Sequence, residues 1–467
     1  MNMMRTGMTT ILLGLILLGA GLQAQPATGD RETDPQVLRK LEWFQDQKFG
    51  LIIHWGTYCQ WGAVESWSIC SEDEPWCNRP IDDYCEYCRR YEALKTTFNP
   101  VRFDPDAWAA AAQEAGMRYL VFTTKHHDGF CMFDTKETDY RITDTACPFH
   151  TNPRANVALE VFNAFRRKGL GIGAYFSKPD WHSPWYWNPR WAHADRNMNY
   201  SIAKHPDLWR KFQAYTFNQI RELMTGYGAV DILWLDGGWV NAGNLSQDIR
   251  MDSIAAMARS HQPGLIVVDR AVHGRYENYR TPEQQVPDTP PDYVWETCMT
   301  MGDAWGYVPN DRYKPARTLI HTLVNIVAKG GNLLLGAGPD ATGQLPAEAV
   351  KRLKEIGAWL SVNGRAIYAT RAVPPYKDGN FRFTREASGA IDAIYIPEEG
   401  EDAPPARMTI HAFTPVKGTA VRLIGTAGTI AWHAGEGGFT MELTDAQRQH
   451  LPCGYAWTFR IDQVEKH

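Results

Sequence analysis

Short apolar runs rich in β-branched and aromatic residues recur through most of the chain, each closing on polar or glycine-containing turns. They cover 49–54 (FGLIIH), 119–124 (YLVFTT), 171–177 (GIGAYFS), 230–236 (VDILWLD), 265–270 (LIVVDR) and 332–338 (NLLLGAG). Between them, 106–115, 158–168 and 208–224 carry apolar residues at helical spacing. Strands that alternate with helices predict parallel βα units, and alternation over roughly 330 residues fits an α/β fold of the (β/α)8-like barrel type. A doubly wound sheet is the alternative. No Gly-x-Gly-x-x-Gly fingerprint follows the first run, which removes the main reason to prefer a dinucleotide-binding fold.

After residue 367 the texture changes. Pro374-Pro375 is followed by short alternating runs at 381–384, 391–396, 408–413 and 420–424, the pattern of a small antiparallel β-sandwich domain. At the other end, 1–24 begins with Arg5, continues through an uncharged apolar run over 11–22 and reaches small residues at Ala24, as a secretory signal peptide does. The run is short for a membrane span, and no Cys follows closely enough to carry a lipid. The expected organisation is a signal peptide over 1–24, a barrel over 25–370 and a β-sandwich over 371–467, in a protein exported to a periplasm or beyond.

A formal net charge of -5 with no long Lys/Arg run gives no electrostatic footprint for nucleic acid or an anionic membrane. A neutral or small ligand is expected instead, and the 18 Trp and 20 Tyr suit stacking on sugar faces as well as core packing. Five of the nine Cys crowd one stretch: Cys59, Cys70, Cys77, Cys85 and Cys88. Local disulfides or buried thiols are expected there. Cys85 and Cys88 have the spacing of half a zinc site, but no second Cys pair and no nearby His completes it.

In a barrel the reactive groups project from the C-terminal ends of the strands. Those ends read His54-Trp55-Gly56, Lys125-His126-His127-Asp128-Gly129, Tyr175-Phe176-Ser177, Trp234-Leu235-Asp236-Gly237-Gly238 and Asp269-Arg270. Five rims therefore offer polar or aromatic groups to one face. A His-His-Asp cluster read alone suits either metal ligation or hydroxyl recognition.

The stretches 48–56 (KFGLIIHWG), 124–130 (TKHHDGF), 231–237 (DILWLDG), 295–298 (WETC), 305–307 (WGY) and 329–335 (KGGNLLL) resemble the α-L-fucosidases of glycoside hydrolase family 29. The resemblance implies a barrel followed by a β-sandwich, no metal or other cofactor, a fucosylated glycan as substrate, and hydrolysis of terminal α-L-fucose with retained configuration. Asp236, between Trp234 and two glycines, is then the nucleophile that forms a glycosyl-enzyme ester. A retaining mechanism needs a second carboxyl about 5 to 5.5 Å away as acid and base. Glu283, in a Pro-rich loop, is the favoured candidate. Glu296, at what reads as the sixth strand end, is the alternative, and Glu65 is a third carboxylate near the site. His54, His126 and His127 would meet sugar hydroxyls, since neutral imidazole both donates and accepts. Tyr175, Trp234 and Arg270 match sugar-contacting positions, Glu65 is also expected among the substrate-binding residues, and Trp67 could wall the C6 methyl. Many relatives have Glu directly before this Trp, whereas this chain reads Glu65-Ser66-Trp67. A retaining glycosidase for a related sugar such as L-galactose, and a decayed enzyme that only binds glycans, are the competing readings.

Overall fold

The computed structural model describes residues 32–465 apart from 71–76, 78 and 436; the expected signal peptide lies outside the described residues. Seven parallel strands, β1 (Phe49–Ile53), β2 (Tyr119–Lys125), β3 (Gly171–Ser177), β4 (Ile232–Asp236), β5 (Ile266–Asp269), β6 (Glu296–Thr300) and β7 (Asn332–Ala337), form one sheet in the order β5-β4-β3-β2-β1-β7-β6. Eight helices accompany them: α1 (Pro35–Gln47), α2 (Tyr84–Ala93), α3 (Pro105–Glu114), α4 (Val157–Arg167), α5 (Pro206–Gly226), α6 (Met251–His261), α7 (Ala316–Ala328) and α8 (Ala347–Asn363). The helices predicted from periodicity correspond to α3, α4 and α5, and a proline opens α3 behind Asp104, whose carboxylate accepts the amides of Asp106 and Ala107.

The strands read as continuous apolar runs because both faces are covered. Ile52, Val121, Tyr175, Trp234, Val268 and Leu334 point to an interior cluster, while Leu51, Leu120, Ala174, Leu233, Val267 and Leu335 pack against the outer layer. The interior cluster is completed from below by Val37, Leu41 and Phe44 of α1. Phe44 stacks on Tyr279 at 4.2 Å and meets Tyr119 edge-on at 5.6 Å, so α1 plugs the N-terminal end of the barrel. Each of these three burials is worth about 1.5 to 3 kcal/mol.

The eighth barrel position holds no regular strand. The chain leaves β5, turns back along it (Asp269 N–H to Tyr276 O, 3.2 Å; Asn278 N–H to Val267 O, 3.0 Å), then runs parallel to β6 through bridges Arg280↔Trp295 and Glu283↔Cys298. Pro282 supplies no amide, yet its carbonyl accepts Cys298 N–H at 3.3 Å. This irregular seam carries Glu283.

Beyond Arg371 come β8 (Arg371–Asp378), β9 (Phe381–Arg385), β10 (Ile391–Tyr395), β11 (Arg407–Ile410), β12 (Val421–Leu423), β13 (Ala431–Gly435), β14 (Gly438–Glu442) and β15 (Trp457–Ile461). They make antiparallel sheets β12-β15-β10-β9-β8 and β11-β14-β13 around a second apolar cluster that includes Phe383, Ile410, Phe439 and Phe459. Pro374 and Pro375 fall in β8, an edge strand, where a missing amide leaves no ladder bond unmade.

Candidate active site

A cavity of about 1060 Å³ opens at the C-terminal ends of the strands. It is lined by His54, Glu65, Trp67, His126, His127, Tyr175, Trp234, Asp236, Arg270 and Glu283, so residues from β1 to β5 and from the seam meet there. Parallel strands end at one rim, which gathers the residues at the ends of β1 to β5, and the 3₁₀ turn Glu65–Ile69 and the seam add Glu65, Trp67 and Glu283.

Asp236 ends β4 and lies at the cavity floor. Its Oδ2 accepts the Tyr175 hydroxyl at 2.6 Å; its Oδ1 accepts Arg270 Nη1 at 2.9 Å and the Gly237 amide at 2.8 Å. Burial opposes its charge, but the Arg270 guanidinium and the hydrogen bonds from Tyr175 and Gly237 outweigh it and hold the carboxyl well below the usual range. Gly237 is required locally: it sits at φ +87, and a Cβ there would come within 2.3 Å of Pro179 Cδ.

The second carboxylate on that guanidinium is Glu283. Arg270 Nη2 donates to its Oε2, and Trp305 Nε1 donates to its Oε1 at 3.1 Å. The Glu283 side chain is 42% exposed against 13% for Asp236, so one carboxylate faces the opening and the other the floor. Arg270 also lies over the Trp234 ring at 5.1 Å.

Glu296 is elsewhere. The 295–298 stretch, read from sequence as the end of a strand, is where β6 begins, and this puts Glu296 deep inside the barrel, fully buried and outside the cavity lining. It accepts the Tyr119 hydroxyl at 2.5 Å and Trp234 Nε1 at 3.2 Å, and so anchors the floor from beneath. Burial pushes its carboxyl up to about 7.

Glu65 lines the cavity from the short 3₁₀ turn Glu65–Ile69, at φ 37, and accepts the Gly306 amide at 2.7 Å. Burial raises it to about 7 as well. Trp67 from the same turn meets His127 (5.4 Å) and Trp181 (5.3 Å) edge-on and lies under Arg196 at 4.8 Å.

The three imidazoles are neutral. Burial depresses His54 and His127 well below the ordinary range and His126 to about 4, against the pull of Asp236. The charge of Asp236 is therefore balanced by Arg270. Among the described residues, His54 has a buried Nδ1 without a hydrogen-bond partner. Among the described residues, the side chains close enough to share a metal ion are His126, His127 and Asp236, with ligand atoms within 4.8 Å of one another. Arg270 already places a positive charge on that carboxylate, which disfavours a second cation there. Asp128, the other half of the sequence cluster, points away and accepts Tyr91 Oη at 2.8 Å.

Sequence reasoning left several lining residues out of the site: Trp305, Trp239, Arg196, Thr281, Gln284 and Cys298. Trp305 had a signal, its place in the 305–307 motif, and Trp239 follows Gly237-Gly238 directly. Arg196 lies in the long connection between β3 and α5, where nothing in the sequence marks it.

Known proteins of similar sequence and fold are α-L-fucosidases. The sequence model of the family described as Alpha-L-fucosidase matches residues 20–365. The chain is 27% identical to the tissue alpha-L-fucosidase of Homo sapiens over 97% of this chain and 97% of that protein. Among solved structures, alpha-L-fucosidase isoenzyme 1 from Paenibacillus thiaminolyticus superposes with a TM-score of 0.74 at 28% identity, covering 92% of this chain and 100% of that one. The Thermotoga maritima alpha-fucosidase solved in complex with fucose gives 0.71 at 26%, covering 92% and 99%.

Proposed function

This chain belongs to the α-L-fucosidase family, and on that premise we propose that it removes terminal α-L-fucose from glycans by double displacement, with Asp236 as nucleophile and Glu283 as acid and base. The observation that carries the reading is the single guanidinium of Arg270 shared by a buried carboxylate and a half-exposed one.

Arg270 and Tyr175 hold Asp236 as the carboxylate that attack requires. In the first half-reaction Asp236 holds the charge and attacks the anomeric carbon, while Glu283 gives its proton to the leaving glycosidic oxygen. Formation of the ester removes the charge from Asp236. Arg270 is then left to Glu283, now a carboxylate, which takes a proton from the water that opens the ester. Tyr175 keeps its hydroxyl on Asp236 and so fixes which carboxylate oxygen attacks. Glu296 has no place in this sequence, since it does not reach the cavity.

The three neutral imidazoles bind hydroxyls without adding charge, and the Trp67 face suits the C6 methyl of a 6-deoxy sugar. The basic, apolar and small-residue pattern over 1–24 supports action on glycans outside the cytoplasm.

The test is to react the enzyme with a 2-deoxy-2-fluoro-fucosyl fluoride and to map the modified peptide by mass spectrometry. A label on Asp236 supports the assignment; a label on any other carboxylate overturns it.

A further inference from the structure

We propose that Ser66 and Ser177 hold the neighbouring imidazoles of His126 and His127 in opposite tautomers, so that the pair presents one donor and one acceptor to the hydroxyls of the sugar. The inference rests on the fucosidase reading for its ligand, but the tautomers follow from the protein alone.

The two rings lie 4.4 Å apart, centroid to centroid. Each has its Nδ1 on a buried serine: His126 on Ser66 Oγ at 2.6 Å and His127 on Ser177 Oγ at 2.7 Å. A serine hydroxyl has one proton, and where that proton goes decides what the imidazole must do. Ser177 donates its proton to Pro179 O at 2.6 Å. It therefore accepts from His127, whose single proton sits on Nδ1 and whose Nε2 is bare.

Ser66 is placed the other way. It already accepts the Asp128 amide at 2.9 Å, and it is fully buried, so among the described residues the acceptor that meets its proton is His126 Nδ1. His126 then carries its proton on Nε2 and donates. Because burial keeps both rings neutral, neither has a second proton to blur the distinction.

The consequence for the nucleophile is direct. Bare His127 Nε2 lies 3.8 Å from Asp236 Oδ2, and two acceptors do not bond to each other. The space between them calls for a hydroxyl from the substrate. Ser177 is well placed to enforce this, since it is the register partner of Asp236 in the β3–β4 ladder. Without Ser177, the neighbouring carboxylate draws the His127 proton to Nε2, and the ring becomes a donor that occupies the nucleophile. Ser66 and Ser177 are thus positioning residues that act through the imidazoles.

The experiment is long-range ¹H–¹⁵N NMR of the free, ¹⁵N-labelled enzyme near neutral pH, with His126 and His127 assigned from their Asn variants. Expected is a protonated Nε2 on His126 and an unprotonated Nε2 on His127, moving to protonated in Ser177→Ala. The same variant should lose roughly tenfold or more in kcat, the value of about one hydrogen bond, with a smaller change in KM. Ser177→Thr, which keeps the hydroxyl, should restore both. The same tautomer on both rings in the wild-type enzyme, or a doubly protonated ring, overturns the proposal even if the variants fail to fold. An unchanged His127 pattern in a folded Ser177→Ala enzyme also overturns it. The spectra need no substrate, so failure of the fucosidase reading would show separately, as wild-type enzyme inert on α-L-fucosides.

Discussion

Arg270 donates through Nη1 to Asp236 at 2.9 Å and through Nη2 to Glu283, so one guanidinium from the end of β5 holds both candidate catalytic carboxylates. A forked cation is needed for this, since an ammonium is a single point charge on a flexible stem. Arg270→Lys should keep the net charge and lose the shared geometry, lowering kcat on a nitrophenyl α-L-fucoside by roughly a hundredfold, or about 2.7 kcal/mol. An unchanged kcat would show that the bridge has no role.

Glu283 and Glu296 separate cleanly by substitution. Glu283→Ala should lose most with natural glycans, whose leaving groups need the proton, and least with an activated aryl fucoside. Added azide should restore turnover with retained configuration, since the sugar is still carried on Asp236. Glu296→Gln should stay within about tenfold of wild type, because an amide can still meet Tyr119 and Trp234. The reverse ranking, measured by steady-state kinetics, would return the acid/base role to Glu296.

The positions of these two glutamates show where the sequence was legible and where it was not. Strands buried on both faces are continuous apolar runs, so β1 to β5 and β7 and their terminal His54, His126, His127, Asp236 and Arg270 could be read directly. The 295–298 run gave no direction: its apolar flank is the same whether a strand begins or ends there, and the barrel shows that it begins. The seam that presents Glu283 is held by bonds to β5 and β6 that no local pattern encodes. Trp305 and Arg196 reach the cavity from connections far away in sequence, so only the folded chain joins them to Asp236.

Buried Glu296 also predicts a pH dependence of stability. Burial raises its carboxyl from 4.5 to about 7 in the fold. The folded state therefore binds the proton more tightly than the unfolded state. Its contribution is fully present below pH 4.5, is lost as pH rises to about 7, and is constant above, a change on the order of 3 kcal/mol at most. Thermal unfolding of wild type and Glu296→Gln between pH 5 and pH 8 should show a fall in Tm that is smaller in the variant. Parallel curves would contradict a buried protonated Glu296.

Arg270 beside Asp236 disfavours a cation on the His126, His127 and Asp236 group. Dialysis against EDTA should leave activity unchanged, and added divalent ions should not raise it. Loss of activity that zinc or another ion restores would make the imidazoles metal ligands.

The central claim is that Asp236 forms the bond to the sugar, and Asp236→Gly tests it most directly. With a nitrophenyl α-L-fucoside the variant should lose roughly a thousandfold or more in kcat, and azide should restore turnover by attacking in place of the missing carboxylate. The expected product is β-L-fucosyl azide, identified by NMR. A folded variant that keeps its activity, or one that yields the α-azide, would contradict it.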